Sequence, residues 1–268
     1  MSLLIALVLG VVEGLTEFLP VSSTGHLVLA EHLLGAAGEA SASFAIVIQL
    51  GALLAVVVHY RALLGRHARG ALRAERESLR LFGALVVAFL PVAVVGLLLR
   101  KVIKAHLFGV GPVVVALVTG GVVMIASSLI ARARRATRLD GLAHVTLRRA
   151  LVIGAGQCLS LWPGTSRSMC TILAGEAAGL STTTAAEFSF LLSLPTLGAA
   201  TVYELAKSHR ELAAGVSAGA LVVGMVTSFL VAWAVIAGFL RLLPRVGLWP
   251  FGVYRVALGA VVALALYR

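Results

Sequence analysis

Charge is scarce in this 268-residue sequence: 12% of residues are charged, and only eleven are acidic. A soluble domain carries roughly 25%, so the charge needed for an ordinary water-facing shell is missing. Cysteine is nearly absent. Cys158 and Cys170 share one apolar stretch, and neither their number nor their spacing fits a zinc site or a disulfide framework. Both read as small packing residues. The N-terminus lacks the basic region of a signal peptide, and its apolar run contains Glu13 and Glu17. It is expected to be retained.

What the sequence has in abundance is apolar surface, at 60% hydrophobic residues and a mean hydropathy of +1.04. Whole segments are apolar all round, which suits hydrocarbon as the solvent rather than a one-sided core. The net charge of +11 would fit a nucleic-acid partner, but the arginines sit in the connections between apolar segments. That is the pattern of the positive-inside bias, and no nucleic-acid partner is expected.

Six segments are long enough to cross hydrocarbon: Phe44 to Tyr60, Phe82 to Leu99, Pro112 to Ile130, Glu187 to Glu204, Val216 to Leu240 and Pro250 to Tyr267. Two further apolar stretches are broken. Leu3 to Leu19 stops at Pro20, and Ala150 to Leu161 stops at Pro163-Gly164. Proline and glycine there end a helix and free backbone groups that need partners, so each stretch reads as one arm of a re-entrant hairpin. The breaks resemble each other. Leu19-Pro20-Val21-Ser22-Ser23-Thr24 aligns with Trp162-Pro163-Gly164-Thr165-Ser166-Arg167 at an offset of 143, which pairs Ser23 with Ser166. The spans beginning at Phe44 and Phe188 align at 144. These near-equal offsets indicate an internal duplication.

The expected fold is therefore an all-α integral membrane protein of six transmembrane helices and two re-entrant hairpins. It forms one polytopic domain over 1–268, with repeat one at about 1–130 and repeat two at about 148–268. Three spans separate the starts of the copies, so their topology is inverted. Connections 61–81, 131–149 and 241–249 then carry fourteen basic residues against six on the other side. This assigns the first side to the cytoplasm and opens the first hairpin outward.

Glu13 and Glu17 are spaced i, i+4, which puts both carboxylates on one helix face. Each acidic group at membrane depth costs about 2.5–3.5 kcal/mol, so a cation, a shared proton or an arginine must compensate. The alternative is a helix near the interface with both groups hydrated. The break supplies Ser22, Ser23, Thr24, a permissive Gly25 and His26; a helix end followed by a polar turn can aim N–H groups at an anion. The second break carries Gly164, Thr165, Ser166, Arg167, Ser168 and Thr171. The planar fork of Arg167 suits phosphate oxygens; a structural salt bridge to Glu13 or Glu17 is the other reading, compatible with the first. Brought together, these residues hold a nucleophile, a base, an anion clamp and carboxylates for a divalent ion, an inventory for phosphoryl transfer. Transport of a lipid phosphate or other anion is the competing class, because broken helices and inverted repeats are also transporter features.

At these residues the sequence resembles the undecaprenyl-diphosphatase family, also called the bacitracin-resistance family. Gly10-Val11-Val12-Glu13-Gly14-Leu15-Thr16-Glu17-Phe18-Leu19-Pro20-Val21-Ser22-Ser23-Thr24-Gly25-His26 is similar to its first signature, and Pro163-Gly164-Thr165-Ser166-Arg167-Ser168 with Thr171 to its second. The resemblance covers essentially the whole chain. It implies hydrolysis of undecaprenyl diphosphate to the monophosphate at the bacterial inner membrane, with the active site opening toward the periplasm. It also implies recycling of the lipid carrier for cell-wall synthesis, bacitracin resistance when the protein is abundant, and dependence on magnesium or calcium. The family's acidic motif falls on Glu13 and Glu17, its essential serine and histidine on Ser23 and His26, and its phosphate-binding arginine on Arg167.

On this reading Glu17, Ser23, His26 and Arg167 are catalytic. Ser23 attacks with help from Glu17, and His26 donates a proton or activates water. Ser22, Thr24, Gly164, Thr165, Ser166, Ser168 and Thr171 line the diphosphate, and Glu13 and Glu17 position the metal. The partners are the lipid diphosphate and membrane lipids, with room left for a homodimer.

Overall fold

A computed structural model describes residues 1–36, 38–107, 109–134 and 138–266. Eleven α-helices run through them: α1 Leu3–Thr16, α2 Ser23–Leu33, α3 Glu39–His59, α4 Arg61–Leu72, α5 Arg76–His106, α6 Val110–Arg134, α7 Leu147–Gln157, α8 Arg167–Ala177, α9 Thr182–Gly215, α10 Ala218–Val246 and α11 Trp249–Leu266. Among the described residues the only extended pairing is an isolated bridge between Leu139 and Leu180.

Four helical stretches are long and apolar enough to cross a membrane: Arg76–Leu99, Gly111–Ala131, Thr182–Lys207 and Ala218–Val246. A fifth is added if Ser43–His59 and Arg61–Leu72, bent by 73°, count as one. Six spans were expected; α11 covers the sixth but is shorter, and its expected end at Tyr267 lies outside the described residues. The surface agrees with a multi-pass membrane protein. Leu4, Leu97, Leu98 and Val202 are each more than three-fifths exposed, while Glu13, Glu17, Arg255 and several serines are buried. Apolar outside with polar inside is the arrangement that hydrocarbon solvent favours.

The expected connection over 61–81 needs correction, because 61–72 are helical. Arg61, Arg66 and Arg69 are exposed there, while Leu63 and Leu64 pack on the core. One face of this helix is basic and exposed and the other packs inward, so it is amphipathic.

Small residues set the helix spacing. α1 packs along α10, and α6 along α11. A Cβ on Gly10 would stand 2.6 Å from the Gly224 carbonyl oxygen, and one on Gly14 2.7 Å from that of Ser228. Gly121 and Gly252 make the same close approach between α6 and α11, at 2.6 and 2.7 Å from each other's carbonyl oxygens. In a membrane, where burial against lipid offers no drive, such backbone contact holds helices together. With its glycines turned to α10, α1 carries Glu13 and Glu17 into the interior.

The link from α6 to α7 is tied to the α8–α9 junction. Leu139 N–H donates to Gly179 O at 3.0 Å, and Ser181 N–H to Leu139 O at 2.8 Å. Asp140 Oδ1 accepts from the hydroxyls of Ser181 at 2.6 Å and Thr184 at 2.9 Å. Those two donors hold the Asp140 carboxyl below its ordinary range.

Candidate functional site

The two sequence breaks form matching corners. Ser22 has φ +75° and Ser166 φ +76°, a region that side-chain-bearing residues enter at about 1–3 kcal/mol each. Each serine N-caps the helix that follows. Ser22 Oγ accepts from Gly25 N at 3.4 Å, and Ser166 Oγ from Met169 N at 3.3 Å. The corners stand 144 residues apart, so Ser22 rather than Ser23 is the counterpart of Ser166. The prolines at 20 and 163 that suggested the other pairing do not occupy equivalent backbone positions.

Immediately after the corners, Ser23 opens α2 and Arg167 opens α8, and both reach one carboxylate. Ser23 Oγ donates to Glu17 Oε2 at 2.6 Å. Arg167 Nη2 donates to Glu17 Oε1 at 2.9 Å. The ion pair is buried, with its side chains 4% and 8% exposed. The guanidinium is held on two further sides. Nη1 donates to Ser189 O at 2.9 Å, and Cζ lies 5.7 Å from the Phe18 ring centroid. Its Nε has no partner. Glu13, one turn before Glu17 on α1, is 1% exposed, and neither carboxylate oxygen has a partner. Thr165 Oγ1 is likewise buried without one. Eight buried side-chain polar atoms lack hydrogen-bond partners among the described residues, and four belong to Glu13, Thr165 and Arg167. Buried groups left unpaired at one place mark capacity for a ligand.

His26 lies between two partners. Its Nδ1 is 2.8 Å from Ser22 O and its Nε2 2.6 Å from the Tyr254 hydroxyl. A carbonyl only accepts, so Nδ1 carries the proton; in the neutral ring Nε2 then accepts from Tyr254. The rings stack at 5.6 Å with planes 5° apart.

The remaining expected residues serve the corners in different ways. Gly164, at φ +94°, packs where a Cβ would meet Val113 O at 2.8 Å, so only glycine fits that turn. Ser166 Oγ and Ser168 Oγ are 3.0 Å apart. Ser168 has no exposed surface, and its hydroxyl donates to Leu19 O at 2.9 Å, joining the second corner to the first. Thr171 is equally enclosed. Its hydroxyl lies 2.9 Å from Arg167 O and 2.6 Å from Ser189 Oγ, so it braces the residues around the guanidinium. Thr24, which follows Ser23, is exposed.

Sequence reasoning missed three participants. Ser189 is one of several hydroxyl residues in α9 and Tyr254 lies next to Arg255 in α11, and neither gave a signal of its own. Arg255 did give one: a lone guanidinium inside the apolar run from Pro250 is as costly at membrane depth as Glu13. It has no exposed surface and donates to four main-chain oxygens: Leu117 O at 3.4 Å, Pro20 O at 3.3 Å, and Ala116 O and Gly164 O at 2.9 Å each.

No group of three or more His, Cys, Asp or Glu residues converges on a metal site among the described residues. The open oxygens of Glu13 beside Glu17 fit a cation that takes few carboxylates and fills its shell with water and substrate phosphates, as magnesium does.

Comparison with known proteins places the cluster in context. Residues 6–261 match the family described as bacitracin resistance protein BacA. A Sorangium cellulosum protein named undecaprenyl-diphosphatase is 58% identical over 258 residues, 96% of this chain and 84% of that protein. Proteins of the same name from Thermoanaerobacter pseudethanolicus and Nitrosomonas eutropha are 43% and 45% identical. They cover 98% and 97% of this chain and 97% and 93% of their own lengths.

Proposed function

The chain belongs to the bacitracin resistance protein BacA family, and from that premise we propose how its two corners carry out the chemistry. The activity is hydrolysis of undecaprenyl diphosphate to undecaprenyl phosphate and inorganic phosphate. All three relatives are named for this phosphatase, and nothing favours the transport reading.

One carboxylate serving both Ser23 and Arg167 is the observation that carries the mechanism. Arg167 holds the terminal phosphate, supported from behind by Ser189 and Thr171. Ser23 Oγ attacks the phosphorus, and its proton passes to Glu17 Oε2, already in hydrogen-bond contact. The oxygen–phosphorus bond bridging the diphosphate breaks, and undecaprenyl phosphate leaves with the bonding electrons. Water then attacks the phosphoserine phosphorus and loses a proton to His26 Nε2, which gives up its hydrogen bond from Tyr254; the Ser23 Oγ–phosphorus bond breaks, Oγ recovers its proton from Glu17, and inorganic phosphate departs. Glu13 with Glu17 would hold a magnesium or calcium ion, which supplies charge neutralisation for the phosphates when bound.

The finer architecture follows the same reading. The shared conformation of Ser22 and Ser166 supports an internal duplication, with α1–α2 and α7–α8 as re-entrant hairpins and α3, α5, α6, α9, α10 and α11 as six spans of inverted topology. The basic connections then lie in the cytoplasm, and the site opens to the periplasmic side of the inner membrane, where the lipid diphosphate enters from the bilayer. Phosphate release from undecaprenyl diphosphate in detergent tests this reading. Release by the native chain, abolished in Arg167→Ala and Ser23→Ala, supports it; undiminished release in either variant contradicts it.

A further inference from the structure

Arg255 is the largest side chain with no exposed surface among the described residues. A guanidinium in a low-dielectric interior must find acceptor partners or it opposes folding. All four of its hydrogen bonds end on backbone oxygens rather than on a carboxylate, so among the described residues no counter-ion pairs the charge. Filling the space would not by itself require a charge, because an apolar side chain of similar volume fills it without the cost of desolvating a guanidinium. What an apolar side chain cannot supply is the set of connections.

Those connections have a pattern. Pro20 stands three residues before Ser23, and Gly164 three residues before Arg167. Nη1 takes the first carbonyl at 3.3 Å and Nη2 the second at 2.9 Å. One rigid, planar group therefore spans both corners. The other two bonds fix the guanidinium itself to α6 at Ala116 and Leu117. Room for it comes from Gly120, where a Cβ would run into Arg255 Nη2, and from the glycine crossing of α6 and α11. Tyr254, the preceding residue, holds His26 from the same helix. The helix that carries none of the sequence motifs thus touches every motif-bearing corner.

We infer that Arg255 is a positioning residue for the reaction: by binding the Pro20 and Gly164 carbonyls on one guanidinium, it fixes the separation of Ser23 and Arg167 across the phosphate. The inference rests on the assignment of Ser23 and Arg167 under Proposed function. Displacement of a reacting group by about 1 Å costs roughly 100-fold in rate, and the loss falls on kcat when ground-state binding is kept.

The test compares Arg255→Met and Arg255→Lys with the native chain in detergent, measuring kcat and KM for undecaprenyl diphosphate and the thermal melting midpoint. The expected result is kcat lowered about 100-fold in Arg255→Met with KM within about threefold, and partial recovery to within about tenfold in Arg255→Lys, which restores a donor but not the fork. Native kcat in a folded Arg255→Met overturns the inference, as does a loss confined to KM. Failure of both variants to fold also overturns it, since Arg255 would then serve the fold and not the geometry of the site. Ser23→Ala and Arg167→Ala are run in parallel. Activity retained in those two sinks the site assignment; activity retained only in Arg255→Met sinks the positioning role alone.

Discussion

Ser23 and Glu17 are joined by a 2.6 Å hydrogen bond across the first corner, and the other oxygen of Glu17 carries Arg167 from the second. The Ser23 hydroxyl and the Arg167 guanidinium thereby share one carboxylate inside a low-dielectric interior. Hydrogen bonds and charges act more strongly there than in water, which supports the phosphoryl-transfer role proposed for these residues.

Replacing Glu17 by Gln keeps the shape of the side chain but removes the proton acceptor. The kcat for phosphate release is expected to fall by about 10²–10⁴, the usual contribution of a positioned base. An unchanged kcat in Glu17→Gln would show that Ser23 loses its proton elsewhere.

Removing Arg167 strikes stability as well as rate. The pair with Glu17 is buried, and taking away one partner of such a pair costs about 3–5 kcal/mol. Arg167→Ala is expected to melt well below the native protein in detergent and to release no phosphate. A full-strength melting midpoint would mean that Glu17 is not left as an uncompensated charge.

Ser168→Ala separates bracing from substrate contact. Its hydroxyl is enclosed and committed to Leu19 O, so the variant is expected to lose about 1–3 kcal/mol of stability, with KM nearly unchanged. A large rise in KM with unchanged stability would place Ser168 against the diphosphate instead.

Chelation addresses the metal. With the Glu13 oxygens open, phosphate release is expected to stop in excess chelator and return with magnesium or calcium. Glu13→Gln is expected to raise the metal concentration needed for half-maximal activity. Full activity in chelator removes the metal from the account.

The acidic side of the pH range reports on Asp140, outside the spans. Its carboxyl titrates below the ordinary value because Ser181 and Thr184 donate to it. The stabilisation is therefore fully present above the unfolded value of about 3.9 and fades as pH falls through the lower folded value. Asp140→Asn is expected to melt below the native chain at pH 7, with the gap narrowing below about pH 4. A gap that stays constant would assign the effect to something other than ionisation.

Much of this was legible in the residues. Pro20 and Pro163 marked the breaks because each is followed by a run of hydroxyl residues, whereas Pro91, Pro195 and Pro244 are carried inside α5, α9 and α10; Glu13, Glu17 and Arg167 stood out because charge in an apolar run is costly. The register between the two breaks was legible only to within one residue, at offsets of 143 and 144. Serine carries no mark of a positive φ, so the Ser22–Ser166 correspondence shows only in the backbone. The helix over Arg61–Leu72 was hidden by its arginines, which look the same in a loop and on one face of an amphipathic helix. Tyr254 acts through its hydroxyl on His26, 228 residues away, and Ser189 through its main-chain oxygen on Arg167, 22 residues away, distances over which no periodicity reports.

The most direct test of the serine mechanism is to trap the phosphorylated enzyme during turnover of undecaprenyl diphosphate and map the modified residue by mass spectrometry. Phosphoserine at position 23, absent in Ser23→Ala, is the predicted result. Phosphohistidine at His26 that persists in Ser23→Ala would contradict it.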